Sequence, residues 1–162
     1  MTTTTTPLAQ RFARLGIYKL VNPIFRMLVR RFAYQSHKEQ EALRILRVRG
    51  RKSGKLYDTP IRFATFEGSR YLVALLEDAQ WVRNLRAVGT AEFIAGKDVE
   101  PIHAHEIQGA EKTAFLMWYA QQPEYATSVQ FALGLDKQRL TSTEIDRAAQ
   151  THPVFRIEST QR

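Results

Sequence analysis

A short segment at residues 50–55 carries the clearest signal for chemistry in the sequence. It reads Gly-Arg-Lys-Ser-Gly-Lys, so Arg51, Lys52 and Lys55 place three cations within five residues, beside the hydroxyl of Ser53. Such a cluster favours a phosphate or several carboxylates, bound by charge-assisted hydrogen bonds and by the backbone amides of a tight turn. The spacing differs from that of a P-loop, and a solvated basic hairpin turn is the competing interpretation.

A second candidate follows at Trp81-Val82-Arg83-Asn84-Leu85-Arg86. Trp81, Asn84 and Leu85 would share one face of a helix, because they stand at positions i, i+3 and i+4. A Trp and a Leu at this spacing more often belong to a core than to a cofactor site. The pattern alone therefore indicates packing, with a functional role as the alternative.

Other catalytic chemistries lack the residues that they need. The chain has no cysteine, which excludes disulfides, thiolate metal sites and a cysteine nucleophile. His103 and His105 alternate along a predicted strand, but no third ligand is evident, so we predict a half-solvated strand face and no metal site. The Gly-x-Ser-x-Gly of a serine hydrolase is absent from the sequence, and Asp136 and Glu144 have no obvious partner for a carboxylate pair.

Short strands joined by hairpins must position these residues. Strands are predicted on both sides of residues 50–55 and at residues 71–76, 91–95, 99–107 and 153–157. Helices are predicted from the N-cap Asp78 to Gly89 and at residues 111–120, 124–133 and 143–149. About six strands with interspersed helices indicate an α+β antiparallel barrel rather than a doubly wound sheet.

The 162-residue chain has a formal net charge of +8, and its basic residues are concentrated near the start. Up to Lys55 there are 13 Lys and Arg against two acidic residues, whereas the remainder has 11 basic and 14 acidic residues. Residues 8–34 have a basic amphipathic helical pattern that suits either packing on the domain or contact with an anionic membrane surface. Because no nucleic-acid-binding motif accompanies the charge, we expect no nucleic-acid partner.

The domain organisation that we predict is simple. A disordered tail at residues 1–7 precedes the amphipathic helix at 8–34, and one cofactor-binding domain covers residues 41–159. No apolar run in the sequence is long enough to span a membrane.

Taken in order, these motifs resemble the deazaflavin (F420)-dependent nitroreductase family. The match comprises residues 50–55, Thr59-Pro60, the strand 71–76, Trp81-x-x-Asn84-Leu85-Arg86, Leu133-Gly134-Leu135-Asp136 and Pro153-Val154-Phe155-Arg156. It covers roughly residues 43–157. The resemblance implies a split β-barrel like that of flavin-mononucleotide-binding oxidases. It also implies use of reduced coenzyme F420, which carries a phosphate and a polyglutamate tail.

The resemblance further implies roles for individual residues. The phosphate and tail would bind Arg51, Lys52, Ser53 and Lys55, in a groove lined by Thr59 and Pro60. Leu75, Leu76, Trp81, Asn84 and Arg86 would surround the deazaflavin ring or brace the loop that does so. The substrate segment corresponds to Trp118, Tyr119, Tyr125 and Phe131, with Tyr125 as the candidate catalytic phenol.

We therefore expect a reductase that passes a hydride from F420 to a quinone, an enone or a nitro compound. The alternative is a non-catalytic binding protein on the same barrel for a fatty acid, haem or flavin such as FMN. Leu75 and Leu76 favour this alternative, and the basic segment at 50–55 favours the reductase. The expected location is the cytoplasm, with contact to the inner face of the cell membrane and a homodimer both left open.

Overall fold

The computed structural model describes residues 44–126, 129, 133–135 and 140–160. The predicted tail at 1–7, the predicted helix at 8–34 and Phe131 lie outside these residues. None of the helices in the described part has the length and apolar character needed to cross a bilayer.

Seven strands in the described residues form an antiparallel sheet. They are β1 (Arg44–Arg49), β2 (Leu56–Ile61), β3 (Ala64–Phe66), β4 (Ser69–Val73), β5 (Thr90–Ala95), β6 (Asp98–Glu106) and β7 (Val154–Ser159). Their order across the sheet is β2-β1-β5-β6-β7-β4-β3. The sheet has one strand more than the six expected, because the chain breaks at Arg62 and Phe63 into β2 and β3.

This strand order forces the sheet to curl. β2 and β3 occupy opposite edges, yet only Arg62 and Phe63 separate them along the chain. Three Cα–Cα steps reach at most about 11 Å, whereas six strand spacings across a flat sheet would separate the edges by about 29 Å. The two edges must therefore approach each other, and the predicted α+β antiparallel split barrel is confirmed.

The helices cover two separate hydrophobic clusters. They are α1 (Gln80–Val88), α2 (Gly109–Gln121), a 3-10 helix (Pro123–Tyr125) and α3 (Ser142–Thr151). The first cluster lies between the curled sheet and α1 and includes Leu46, Leu72, Leu85 and Phe155. The second cluster lies around α2 and α3 and includes Phe115, Tyr119, Tyr125 and Ile145.

The burial pattern of β6 follows from the period of a strand. Ile102 and Ala104 are buried, whereas His103 and His105 are exposed on the other face, with ring centroids 6.5 Å apart. The prediction of a solvated face for the two histidines is confirmed. No group of three or more metal-ligating side chains occurs among the residues that the structure describes.

The predicted end of the strand at residues 71–76 was wrong. The strand predicted to reach Leu76 ends at Val73. The amide of Ala74 still donates to the carbonyl of Pro153 at 2.8 Å, and the chain then bends away at Leu75 and Leu76. Leu75 is 40% exposed after this bend, so the apolar run is not a fully buried strand.

Asp78 does not cap the following helix. The N-cap of α1 is Ala79, which forms no side-chain capping bond, and the carboxylate of Asp78 instead pairs with Arg83 at 3.1 Å. The predicted end at Gly89 is confirmed: its φ is +68°, and its amide donates to the carbonyl of Leu85 at 2.8 Å.

The structure shows the helix predicted at 143–149 in full and only the start of the helix predicted at 124–133. Helix α3 extends the predicted 143–149 helix at both ends, and a capping box between Thr141 and Glu144 begins it. The helix predicted at 124–133 starts as the 3-10 helix Pro123–Tyr125, and residues 127, 128 and 130–132 lie outside the described part.

Candidate functional site

Residues 50–55, which we call the basic turn, connect β1 to β2. The amide of Gly50 donates to the carbonyl of Lys55 at 2.7 Å, and the amide of Gly54 donates to the carbonyl of Gly50 at 2.8 Å. Gly54 has a φ of +67°, which favours glycine. At Gly50 a Cβ atom would lie 2.5 Å from the ring of Tyr57 and 2.8 Å from the hydroxyl of Ser53, so any other residue would displace these two side chains. Both glycines of the motif therefore shape the turn.

The cationic side chains of the basic turn are exposed to solvent. Arg51, Lys52 and Lys55 all lie at the surface, as the sequence-based interpretation requires for binding an anion. The hydroxyl of Ser53 accepts a hydrogen bond from the amide of Lys55 at 3.3 Å. It also shares a hydrogen bond of 3.1 Å with the phenol of Tyr57.

Sequence reasoning missed Tyr57. Its side chain packs on Gly50, its hydroxyl contacts Ser53, and it is 42% exposed on an edge strand. The sequence feature that could have identified Tyr57 is its position four residues after Ser53, at the start of the strand that follows the turn. Such a residue presents both a ring and a hydroxyl beside the cations.

Asn84 connects the basic turn to helix α1. It is 1% exposed, and its Oδ1 accepts hydrogen bonds from the backbone amide of Arg51 at 3.3 Å and from Nη1 of Arg51 at 2.9 Å. Its Nδ2 is buried without a hydrogen-bond partner in the described part of the chain. The structure thus brings together two predicted cofactor-binding residues that are 33 positions apart.

Thr59 and Pro60 lie on β2, next to the basic turn. They pair with Leu46 and Ile45 of β1 and are half-buried. Pro60 is compatible with this position because β2 is an edge strand of the sheet, where a missing amide donor is tolerated.

Arg86 is engaged in an ion pair away from the basic turn. Its Nε and Nη2 donate to the two carboxylate oxygens of Glu106 at 2.6 and 2.7 Å. The hydrogen bond from Arg86 lowers the pKa of Glu106, and the bond to Glu106 raises the pKa of Arg86. This bidentate pair joins α1 to the end of β6.

Leu75, Leu76 and Trp81 lie around the bend after β4. The carbonyl of Leu76 accepts from the amide of Ala79 at 3.2 Å, which closes a turn before α1. Trp81 is half-buried against the first cluster, with its ring centroid 5.8 Å from that of Phe155. The exposed Leu75 offers the main apolar surface at this bend.

The predicted substrate residues Trp118, Tyr119 and Tyr125 form an aromatic group around the end of α2. The rings of Tyr119 and Tyr125 stack with centroids 4.4 Å apart, and the centroid of Trp118 lies 6.3 Å from that of Tyr125. Tyr119 and Tyr125 are 6% and 8% exposed. They belong to the second cluster, whereas Trp81 packs on the first, so the two sets of predicted residues are placed in different parts of the core.

Comparisons with known proteins identify the family and the fold of the chain. The family model of the F420H(2)-dependent quinone reductases matches residues 24–142. Among solved structures, one described as a domain-swapped dimer is 21% identical, covering 88% of this chain and 99% of its own, with a TM-score of 0.50. This likeness supports the fold. A search of curated proteins found no match.

Two further solved structures are similar to this chain. An F420-H2 dependent reductase (FDR-A) is 24% identical, covering 72% of this chain and 93% of its own, with a TM-score of 0.49. An F420 reductase is 15% identical, covering 79% of this chain and 94% of its own, with a TM-score of 0.43. The family model carries the assignment, because it matches well over half of the sequence. The chain therefore belongs to the F420H(2)-dependent quinone reductase family, whose members are enzymes that use coenzyme F420.

Proposed function

We propose that the basic turn binds the phosphate and polyglutamate tail of F420 and that the enzyme reduces a quinone. The main observation that supports this proposal is the contact between Asn84 and Arg51, because it fixes the basic turn while leaving its cations exposed. The donors present suit this ligand. They are the cations Arg51, Lys52 and Lys55, and the buried Nδ2 of Asn84, which lacks a described partner. An anion would accept charge-assisted hydrogen bonds from such a set.

When bound, reduced F420 supplies the hydride, and the protein supplies binding and orientation. In this proposal Arg51, Lys52, Ser53 and Lys55 hold the anionic arm, and Thr59 and Pro60 line the groove beside it. Asn84 acts through Arg51 and keeps the turn in place.

The ring of the cofactor is assigned to the bend after β4. Leu75 and Leu76 would provide an apolar surface there, and Trp81 would support the bend from the first cluster. Arg86 is assigned a bracing role rather than a contact with the anion, because Glu106 engages two of its donor nitrogens. The family assignment favours this reductase over the alternative of a binding protein for a fatty acid, haem or FMN.

The acceptor is assigned to the aromatic group of Trp118, Tyr119 and Tyr125, with Phe131 as a further predicted member. Flat apolar rings suit a quinone because aromatic pairs gain energy beyond the burial of their area. The phenol of Tyr125 would donate a hydrogen bond or a proton to the reduced oxygen. Since Tyr125 is 8% exposed, substrate entry requires the aromatic group to open.

An anaerobic assay of F420H2 oxidation tests the proposed acceptor. The purified full chain is offered menadione, cyclohexenone or a nitroimidazole at matched concentrations. We expect the highest kcat/KM with the quinone. A higher kcat/KM with the enone or the nitro compound would overturn the assignment of a quinone while leaving the F420-dependent reductase intact.

We also propose that the enzyme is a homodimer. The similar structure described as a domain-swapped dimer supports this, since it covers 88% of this chain. Light scattering of the full chain after size-exclusion chromatography should give twice the 18.7 kDa chain mass. A monomer mass over the whole accessible concentration range would refute the proposal.

A cytoplasmic location at the inner face of the membrane is our third proposal. It rests on the sequence of residues 8–34, which has the pattern of an amphipathic helix with a basic polar face. Six cations near an anionic leaflet would each add about 1 kcal/mol, which is enough for reversible attachment. The full chain should sediment with anionic but not neutral vesicles, and a version beginning at Gln35 should not sediment. If neither version binds anionic vesicles, the proposal fails.

A further inference from the structure

One face of the sheet carries a row of apolar residues from four neighbouring strands. Pro60 is paired with Ile45, Ile45 with Ile94, and Ile94 with Val99. Residues paired in this way point to the same side of a sheet. Leu46, the neighbour of Ile45 along β1, belongs to the first cluster, so the row lies on the opposite face. We call these four residues the outer row.

The described helices pack on other parts of the sheet. Helix α1 contributes to the first cluster, on the side away from the outer row. Helices α2 and α3 contribute to the second cluster, whose strand residues come from β3, β4 and β7. Within the described part of the chain, the outer row therefore belongs to neither cluster.

Ile45 is nevertheless buried. It is 7% exposed, whereas Pro60 and Ile94 beside it are half-buried and Val99 at the end of the row is 47% exposed. A buried aliphatic side chain typically touches about six or more residues, and the two neighbours of Ile45 in the row supply only part of that number. The burial of Ile45 points to a further element packed over the middle of the outer row.

A row of charged residues beside the outer row has a net negative charge. Asp58, Arg47 and Glu92 are paired across β2, β1 and β5. Two nitrogen atoms of Arg47 donate to the carboxylate of Asp58 at 2.7 and 3.0 Å, and Glu92 acts on Arg47 as a nearby opposite charge. Two carboxylates against one guanidinium favour a covering element that is rich in Lys and Arg.

We propose that residues 8–34 pack their apolar side chains on the outer row of the same chain. This segment has the sequence pattern of an amphipathic helix, with six basic residues and no acidic one, so it matches both the apolar row and the negative charge beside it. Its apolar residues at helical spacing are Ile17, Val21, Ile24, Leu28 and Phe32.

The connecting chain is long enough for this packing. Gln35 is nine Cα–Cα steps from Arg44, which precedes Ile45, and nine extended steps reach about 30 Å. The outer row spans three strand spacings, about 14 Å. Lys19, Arg26 and Arg30 fall on the opposite side of the helical pattern, so they would stay available for the membrane attachment proposed above.

Paramagnetic relaxation in the full chain tests the proposal. Because the sequence has no cysteine, Val99→Cys carries a single nitroxide label at the exposed end of the outer row. In methyl NMR spectra we expect the signals of Val21, Ile24 and Leu28 to broaden, and to recover when ascorbate reduces the label. The matched control is a label at Arg83→Cys, an exposed position on α1 at the other side of the sheet, which should leave these signals sharp.

Substitutions within the segment test the packing without altering the sheet. Leu28→Asp places a charge among the apolar residues of the segment, so the broadening of Val21 and Ile24 should be lost. Arg30→Gln lies on the opposite side of the helical pattern and should retain the broadening.

The proposal is overturned if the signals of the segment stay sharp with the label at position 99, or broaden equally with the label at position 83. Unchanged broadening in Leu28→Asp would also contradict it. Dilution of the labelled chain with an excess of unlabelled chain separates two sources of the contact. Broadening that persists comes from the same chain, as proposed, whereas broadening that disappears comes from a second copy and overturns the proposal. None of these outcomes depends on the assignment of F420 to the basic turn.

Discussion

The basic turn and the aromatic group differ in whether their functional side chains are exposed to solvent. The cations of the basic turn are exposed, while its backbone is fixed by Gly50, Gly54 and the buried Asn84. In the aromatic group the reverse holds, because the candidate functional ring of Tyr125 is itself buried and stacked on Tyr119. The cations of the basic turn are therefore accessible from solvent, whereas the ring of Tyr125 becomes accessible only if the aromatic group opens.

This difference has a physical basis. An anion is recognised by donors held at the surface, where solvated cations carry little desolvation cost. A flat apolar acceptor is recognised by rings that otherwise pack on one another, since exposed apolar surface is costly in water. Charge substitutions should therefore act mainly on cofactor affinity, and substitutions in the aromatic group should act mainly on turnover.

The largest effect is expected from removing the charge of the basic turn. Arg51→Ala combined with Lys55→Ala should weaken F420 binding by about 3 kcal/mol, at about 1.5 kcal/mol for each charge-assisted contact. Binding to the wild type should also weaken as salt increases, because the cations are exposed. Fluorescence titration measures both, with Lys97→Ala as the control. Wild-type affinity in the double variant would exclude the basic turn as the anion site.

A smaller effect is expected from releasing the turn without removing its charges. Asn84→Ala deletes the acceptor of both bonds from Arg51 and should lower F420 affinity about tenfold, with a loss of about 1–3 kcal/mol in the free energy of unfolding. The matched control on the same helix is Arg83→Ala, whose partner Asp78 is exposed, and it should change stability by less than about 0.5 kcal/mol.

Asn84→Asp separates the two roles of this side chain. It keeps an oxygen that can accept from Arg51 but replaces the Nδ2 donor with a carboxylate oxygen and adds a negative charge beside Arg51. If Asn84 acts only by holding Arg51, Asn84→Asp should retain more affinity than Asn84→Ala. Equal losses in the two variants would show that an oxygen able to accept from Arg51 does not sustain F420 binding once the Nδ2 donor is replaced by a negative charge.

On the aromatic side, Tyr125→Phe should lower kcat with a quinone or an enone about five- to tenfold, while cofactor affinity stays nearly unchanged. The reason is the loss of a hydrogen bond made mainly in the transition state. Steady-state kinetics give kcat and KM separately, and Tyr119→Phe serves as the comparison in the adjacent, stacked ring. Unchanged turnover in Tyr125→Phe would leave this phenol with a packing role.

The smallest expected effect is the pH dependence of stability that arises from His152, a buried side chain beside the bend after β4. His152 is 4% exposed, its Nδ1 lies 3.2 Å from the carbonyl of Ala74, and burial lowers its pKa. The unfolded chain therefore binds the proton more readily than the folded one. Stability should be fully present above about pH 6.5, where unfolded histidine is neutral, and should fall as the pH drops from there towards the lower folded pKa.

Thermal unfolding at several pH values measures this loss. His152→Asn retains an amide donor for the carbonyl of Ala74 but does not titrate, so its Tm should vary less over the same range. A wild-type Tm that is independent of pH below about 6.5 would contradict the assignment.

The elements were more predictable than the contacts between them. The turn at residues 50–55 and the end of α1 at Gly89 could both be predicted, because each depends on hydrogen bonds between residues close in sequence. The predicted limits of β4 and the predicted cap of α1 were wrong, since the chain bends directly after the hydrogen bond from the amide of Ala74 to the carbonyl of Pro153, and the carboxylate of Asp78 pairs with Arg83.

The site itself depended on long-range contacts. Asn84 fell on the predicted apolar face with Trp81 and Leu85, but nothing in that spacing indicated that it would bind Arg51. Arg86 was likewise predicted to lie around the deazaflavin ring or to brace the adjoining loop, and nothing in the sequence indicated that it would pair with Glu106, 20 residues away. Periodicity predicts which face is buried, whereas the partner of a buried polar group is set by the tertiary fold.

The most direct test of the central claim compares full F420 with a deazaflavin that lacks the phosphate and the tail. Dissociation constants for both compounds are measured with the wild type and with the Arg51→Ala, Lys55→Ala variant. The wild type should prefer full F420 by about 100-fold, as two charge-assisted contacts imply. The variant should bind both compounds with nearly equal affinity. If the variant keeps the wild-type preference, the anionic arm binds elsewhere and the account of the basic turn is wrong.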